Sequence, residues 1–196
     1  ADGAQGEVRL GKYGELVTNS FAGKYTELAR AGKVFFAANS GDQALSLLSA
    51  TATGVILSNP VASGVDLVLL EASFTQNTAA AAEAGQSVVL AYGTYSATEV
   101  THTTPLVVRS TYGGAGLGTG RVDSSATIPA APVLITALWQ PTVSATATTA
   151  IPPMVVYRPD GLIVCPPGTS ISLQNGADAA AAITGRGAFI WAELER

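Results

Sequence analysis

Charge is what this sequence has least of. Asp, Glu, Lys and Arg make up 12% of its 196 residues, against about 25% in an ordinary soluble domain, and mean hydropathy is +0.33. A monomer so composed has little charge with which to cover its exterior. Part of its apolar surface is therefore expected to be hidden in an oligomer or against a larger partner. The alternative is a neutral exterior in which Ala, Gly and Thr replace charged residues. There is one cysteine, Cys165, which excludes an internal disulfide. No run approaches the roughly 18 consecutive apolar residues of a membrane-spanning helix. The opening residues Ala1-Asp2-Gly3-Ala4 have neither the basic nor the apolar region of a secretory signal.

Cationic surface is also missing. Net charge is −4 and the ten basic residues are scattered from Arg9 to Arg196. Without a basic stripe there is no counterion-release drive toward nucleic acid, so neither nucleic acid nor membrane is expected as a partner.

The chain is equally poor in chemistry. Zinc needs three or four ligands from Cys, His and carboxylates, and the single His102 lies far from Cys165. His102 would have to serve any His-based hydrolase triad, yet no Gly-x-Ser-x-Gly elbow exists; it reads as a surface or loop histidine. Cys165, in Val164-Cys165-Pro166, has no neighbouring base to lower its pKa and reads as a small buried hydrophobe. The run Gly113–Gly120 has no lysine and lacks both the Walker and the dinucleotide spacing, so it reads as a mobile glycine loop. The fourteen carboxylates form no Asp-x-Asp-x-Asp-Gly run. A catalytic carboxylate pair is invisible without a fold. The expectation is a non-enzymatic protein with no catalytic residues, no cofactor and no metal.

What is present is β-sequence. Short β-branched or aromatic runs are predicted as strands near Lys33–Ala37, Gly54–Ser58, Asp66–Phe74, Ser87–Tyr95, Leu106–Ser110, Pro132–Gln140, Met154–Tyr157, Leu162–Val164, Ser170–Gln174 and Ala188–Glu195. Turn signals such as Ser58-Asn59-Pro60, Pro159-Asp160-Gly161 and Asn175-Gly176 separate them. Many short strands with few helical stretches between them predict an all-β, jelly-roll-like antiparallel sandwich. Two strands, Val133–Trp139 and Phe189–Ala192, are apolar on both alternating faces. A strand with one wet face alternates, so these imply a second covering layer, from a neighbouring subunit or an arm.

Residues 11–31 differ. Tyr13, Leu16/Val17, Phe21, Tyr25 and Leu28 recur at helical spacing, although Gly23 falls inside the run. The reading is an arm over residues 1–32, holding about two helical turns, ahead of a sandwich over 33–196. Its aromatic stripe, Tyr13, Phe21 and Tyr25, is the candidate interface, docking on a neighbouring subunit or shell; the alternative is a helix packed on its own domain. Thr78–Ala84 is Ala-rich and short, a loop or a single turn. Thr142–Ala150 is uncharged and of low complexity, suiting an extended segment.

Both ends carry a family resemblance. Gly11-Lys12-Tyr13-Gly14-Glu15-Leu16-Val17, Gly32-Lys33-Val34-Phe35-Phe36-Ala37 and Leu57-Ser58-Asn59-Pro60-Val61-Ala62-Ser63-Gly64-Val65-Asp66 resemble the opening of tailed-bacteriophage virion structural proteins. Gly161-Leu162-Ile163-Val164-Cys165-Pro166-Pro167-Gly168 and Phe189-Ile190-Trp191-Ala192-Glu193 resemble their last strands. The middle, about Thr75 to Thr149, carries no such likeness. The resemblance implies a capsid decoration (cement) protein on the outer surface of the virion. Such a protein assembles with itself, as a homotrimer, and with the major capsid protein, clamping capsomers together. The rival is a head-fibre or tail-associated adhesion module binding a host glycan, for which Tyr92, Tyr95 and Tyr112 near Glu99 are candidates. A polysaccharide-degrading hydrolase on a β-sandwich is a further alternative, which the sparse charge disfavours.

Overall fold

The structure, a computed structural model, describes residues 23–78, 87–114, 118–139, 154–176 and 183–196. A short helix, α1 (Thr26–Arg30), precedes the strands β1 (Val34–Ala38), β2 (Gln43–Ala44), β3 (Thr51–Ser58), β4 (Val65–Thr78), β5 (Val88–Gly93) and β6 (Thr101–Pro105). Then follow β7 (Arg109–Ser110), β8 (Arg121–Thr127), β9 (Val133–Trp139), β10 (Met154–Tyr157), β11 (Ile163–Cys165), β12 (Ser170–Asn175) and β13 (Thr184–Glu195).

Strand pairing is nested. β1 runs antiparallel to β13, β3 to β12, β4 to both β10 and β11, β5 to β9, and β6 to β8. Early strands thus pair with late ones, as in one long hairpin closed near β6–β8. Rolling that hairpin adds new neighbours, β4 beside β13, β5 beside β12 and β3 beside β8. The result is two antiparallel sheets, ordered β10-β4-β13-β1-β7 and β6-β8-β3-β12-β5-β9, with β11 on β4 and β2 on β13. This is the all-β, jelly-roll-like sandwich expected from the sequence.

The core lies between the sheets. Phe74, Phe189 and Trp191 of the first meet Leu57, Leu90, Ile171 and Leu173 of the second. All are essentially inaccessible to water, and each aliphatic or phenyl side chain contributes roughly 1.5–3 kcal/mol by burial. Register depends on close approaches. Gly54 sits where β3 slips against β8, with φ +128°, and a Cβ there would stand 2.3 Å from the Leu173 carbonyl oxygen. At the end of β3, the Asn59 side-chain amide donates to the carbonyls of Val65 and Cys165, both at 2.8 Å. One side chain thereby ties the start of β4 to the end of β11.

Three strands escape the sequence pattern. β8 reads Arg-Val-Asp-Ser-Ser-Ala-Thr, too polar to signal a strand, yet it is held between β3 and β6. β6 ends on Pro105 at a sheet edge, where a missing N–H costs nothing, and β2 spans two residues. The strand expected at Leu106–Ser110 shrinks to Arg109–Ser110. The preceding residues cross from the edge of one sheet to the other, with Leu106 and Val108 packed on the core.

Second covering layers come from the chain itself. On β13, Ile190 and Ala192 face away from the inter-sheet core and lie under Tyr25, Leu28 and Ala29. The described part of the expected arm is therefore a helix of little over one turn packed on its own sheet. It ends where Gly32, at φ +70°, donates to the Ala29 carbonyl. Tyr13 and Phe21 lie outside the described residues, as do nearly all of Thr78–Ala84 and all of Thr142–Ala150. β12 is covered on its outer face too. Ser170, Ser172 and Gln174 are buried, and Gln174 exchanges hydrogen bonds with the backbone of Ser49.

Candidate interaction surface

The polar groups capable of chemistry are mostly engaged in holding the fold. Glu193, near the end of β13, is buried. Its carboxylate accepts the N–H of Thr119 at 2.9 Å, the N–H of Gly120 at 2.8 Å and the indole N–H of Trp191 at 3.1 Å. This corrects the reading of Gly113–Gly120 as a mobile loop for its C-terminal part. Gly118–Gly120 is pinned to β13, and a Cβ on Gly118 would come within 2.8 Å of a Glu193 oxygen. Close approach of backbone to a carboxylate is what the glycines permit there. The Thr119 and Gly120 N–H groups are therefore already taken.

His102 is not a loop residue either. It sits on β6 with Nδ1 2.6 Å from Oδ2 of Asp123 on β8. The Asp123 side chain is 0% exposed and the imidazole is largely covered. The pair resembles two thirds of a triad, and a cavity of about 530 Å³ lined by His102, Pro105, Leu106, Val107 and Arg121 lies beside it. None of the described residues lining that cavity is Ser, Thr or Cys, so no nucleophile among them faces the imidazole. The geometry is that of a buried carboxyl hydrogen-bonded to a neighbouring imidazole.

Cys165 is fully buried, 3.0 Å from the Thr169 hydroxyl. Burial pushes its thiol up to about 12, so it is neither nucleophile nor ligand at neutral pH. Among the described residues no group of three or more His, Cys, Asp and Glu could hold a metal ion. No described helix is long and apolar enough to cross a membrane.

The aromatic candidates are dispersed. The Tyr25 hydroxyl donates to Asp160 Oδ1 at 3.0 Å, and Lys24 Nζ lies 3.3 Å from Oδ2 of the same carboxylate. Tyr25 thus straps α1 to the turn between β10 and β11. The Tyr92 hydroxyl is directed at the Val164 carbonyl. Glu99 accepts the Val61 N–H at 2.8 Å. Tyr95 is exposed beside Gly168, whereas exposed Tyr112 follows β7 in the other sheet. The structure does not gather the tyrosines around Glu99.

Several large aliphatic side chains remain exposed. β9 ends the second sheet, while β10 and β11 flank β4 at the margin of the first. On these strands and the turn between β10 and β11, Leu162 is 83% exposed, Met154 67%, Val133 59% and Leu134 50%, with Ile135, Val156 and Val164 open to a lesser degree. The first half of β9, Val133 to Ile135, is thus open among the described residues, whereas Leu138 and Trp139 pack on the core. Sequence reading noticed its apolar faces but not Asp123 or Glu193. The only signal for those two was a carboxylate inside a strand run.

No family model, no curated protein and no solved structure matches this chain.

Proposed function

We propose that the chain is a non-enzymatic virion structural protein, a capsid decoration (cement) protein that binds the outside of a phage head and stabilises contacts between capsomers. The observation that carries this reading is how the side chains are used. Glu193, the His102–Asp123 pair, Asn59 and Cys165 are spent inside the sandwich, while large aliphatic side chains such as Leu162, Met154, Val133 and Leu134 are exposed. A protein built this way acts by contact. Its net charge of −4 suits an outer position away from the packaged genome, and the resemblance at both chain ends supports the virion assignment. The homotrimer belongs to the same reading. For the rival glycan-binding module, the exposed candidates are Tyr95 and Tyr112, which follow strands of different sheets, while Glu99 and Tyr92 are hydrogen-bonded within the chain.

Quantitative mass spectrometry on purified intact particles tests the proposal. A copy number near that of the shell protein is expected. A handful of copies per particle would favour the fibre or tail reading, and absence from particles would end both.

A further inference from the structure

We infer that the cavity beside the His102–Asp123 pair is a binding site for a small organic carboxylate with an apolar body, held through Arg121. The inference stands apart from the virion reading. Ion pairing singles out the cation. Every described lysine and arginine except Arg109 and Arg121 is paired with a carboxylate. Of these two, Arg121 lines the cavity. A guanidinium without a protein partner presents a planar fork of donors, which fits a carboxylate through two parallel hydrogen bonds. Arg121 and Asp123 stand two apart on β8 and pair in regular register with Ser58 and Ile56 of β3, so both point to one face of the sheet. His102 reaches Asp123 from the neighbouring strand, which sets imidazole and guanidinium on the same side.

The walls decide the rest of the ligand. The cavity measures about 530 Å³, a usual size for a small-molecule site. Pro105, Leu106, Val107 and Val108 give it an apolar wall, and Val107 is exposed, so a guest has apolar surface to cover. Nδ1 of His102 is committed to Asp123, which leaves Nε2 as the ring nitrogen a guest can meet. The Gly120 N–H on the same lining is bonded to Glu193. The guanidinium and one imidazole nitrogen are too few for the oxygens of a phosphate and suit those of a carboxylate. Among the described residues no carboxylate, amide or hydroxyl side chain lines the cavity, so the hydroxyl groups of a sugar would go unmet there.

The test titrates the full chain with sodium hexanoate and follows backbone amides and the His102 ring nitrogens by NMR. Saturable shifts at Val107, Val122 and His102 Nε2 are expected, with a Kd of about 1 mM or tighter for a ligand of this size. Arg121→Gln should weaken binding at least about tenfold, because the charge-assisted pair is lost. Arg109→Gln removes the other unpaired arginine and should leave binding unchanged. Hexanamide, the uncharged counterpart of the probe, should bind at least about tenfold more weakly, and inorganic phosphate at equal concentration should not displace hexanoate. His102→Ala is expected to destabilise the fold, so Val107→Asp supplies the second variant. It sets a carboxylate on the exposed wall and should abolish binding while circular dichroism stays the same. The inference is overturned by no saturable shift up to about 20 mM hexanoate, or by undiminished binding in Arg121→Gln or Val107→Asp. Hexanamide or phosphate binding as well as hexanoate overturns it too.

Discussion

Removing the Glu193 carboxylate should destabilise the sandwich by several kcal/mol, because three donors depend on it. Thr119 N–H, Gly120 N–H and Trp191 Nε1–H converge on its two oxygens at 2.8–3.1 Å, and the residue is buried. Each buried donor left unpaired costs roughly 1 kcal/mol or more. One lost buried methylene adds about 0.8 kcal/mol if the site does not collapse. Glu193→Ala should therefore cost about 4 kcal/mol, a large part of the 5–15 kcal/mol typical of a domain. Glu193→Gln keeps one acceptor and sets an NH₂ against a donor, so about 2 kcal/mol is expected. For a chain of this length these losses correspond to melting shifts of about 8–16 °C and 4–8 °C. Urea titration at fixed protein concentration, followed by the fluorescence of buried Trp191, measures both. A shift in midpoint with unchanged slope is the expected form. If both variants lie within about 0.5 kcal/mol of wild type, the carboxylate does not anchor the glycine segment and the reasoning fails.

Three further outcomes follow from other buried or paired groups. His102→Ala should cost about 2–4 kcal/mol, since Asp123 loses the imidazole that bonds it in a site it cannot leave; adding Asp123→Ala should recover part of that loss, and strict additivity in the cycle would argue against coupling. Cys165 should resist a thiol reagent at pH 8 in the native protein and react fully in denaturant, because burial holds the thiol up to about 12; fast native labelling would contradict the packing. The Tyr25 hydroxyl, then Lys24, holds the Asp160 carboxyl below its ordinary 3.8, so the strap on α1 is at full strength above that value and is lost as pH falls through the lowered one. Amide exchange at Ala29 and Ala31, corrected for intrinsic rate, should lose protection between about pH 5 and pH 2, and less so in Tyr25→Phe; a flat profile in wild type would refute the strap.

The sequence by itself determined the class of fold and most of its strands. Alternation, β-branched runs and turn residues act locally, and β3, β4, β5, β9, β10, β12 and β13 all carry those signals. It also marked β9 and β13 as apolar on both faces. Only tertiary structure decided what those faces meet. β13 is the middle strand of the order β10-β4-β13-β1-β7 and lies under α1, so Ile190 has neighbours packed against it. β9 ends its sheet, so Val133 and Leu134 are open. β12 shows the converse, since its alternating Ser170, Ser172 and Gln174 suggest a wet face but are buried, Gln174 against the chain's own backbone at Ser49. The same holds for Asp123 and Glu193. A carboxylate in a strand is ordinarily a solvated residue. Its burial depends on a partner 21 residues away for Asp123 and on backbone N–H groups 73 and 74 residues away for Glu193. Burial and hydrogen-bond partnership are properties of which segments come together, and periodicity along a chain encodes only which way each side chain points.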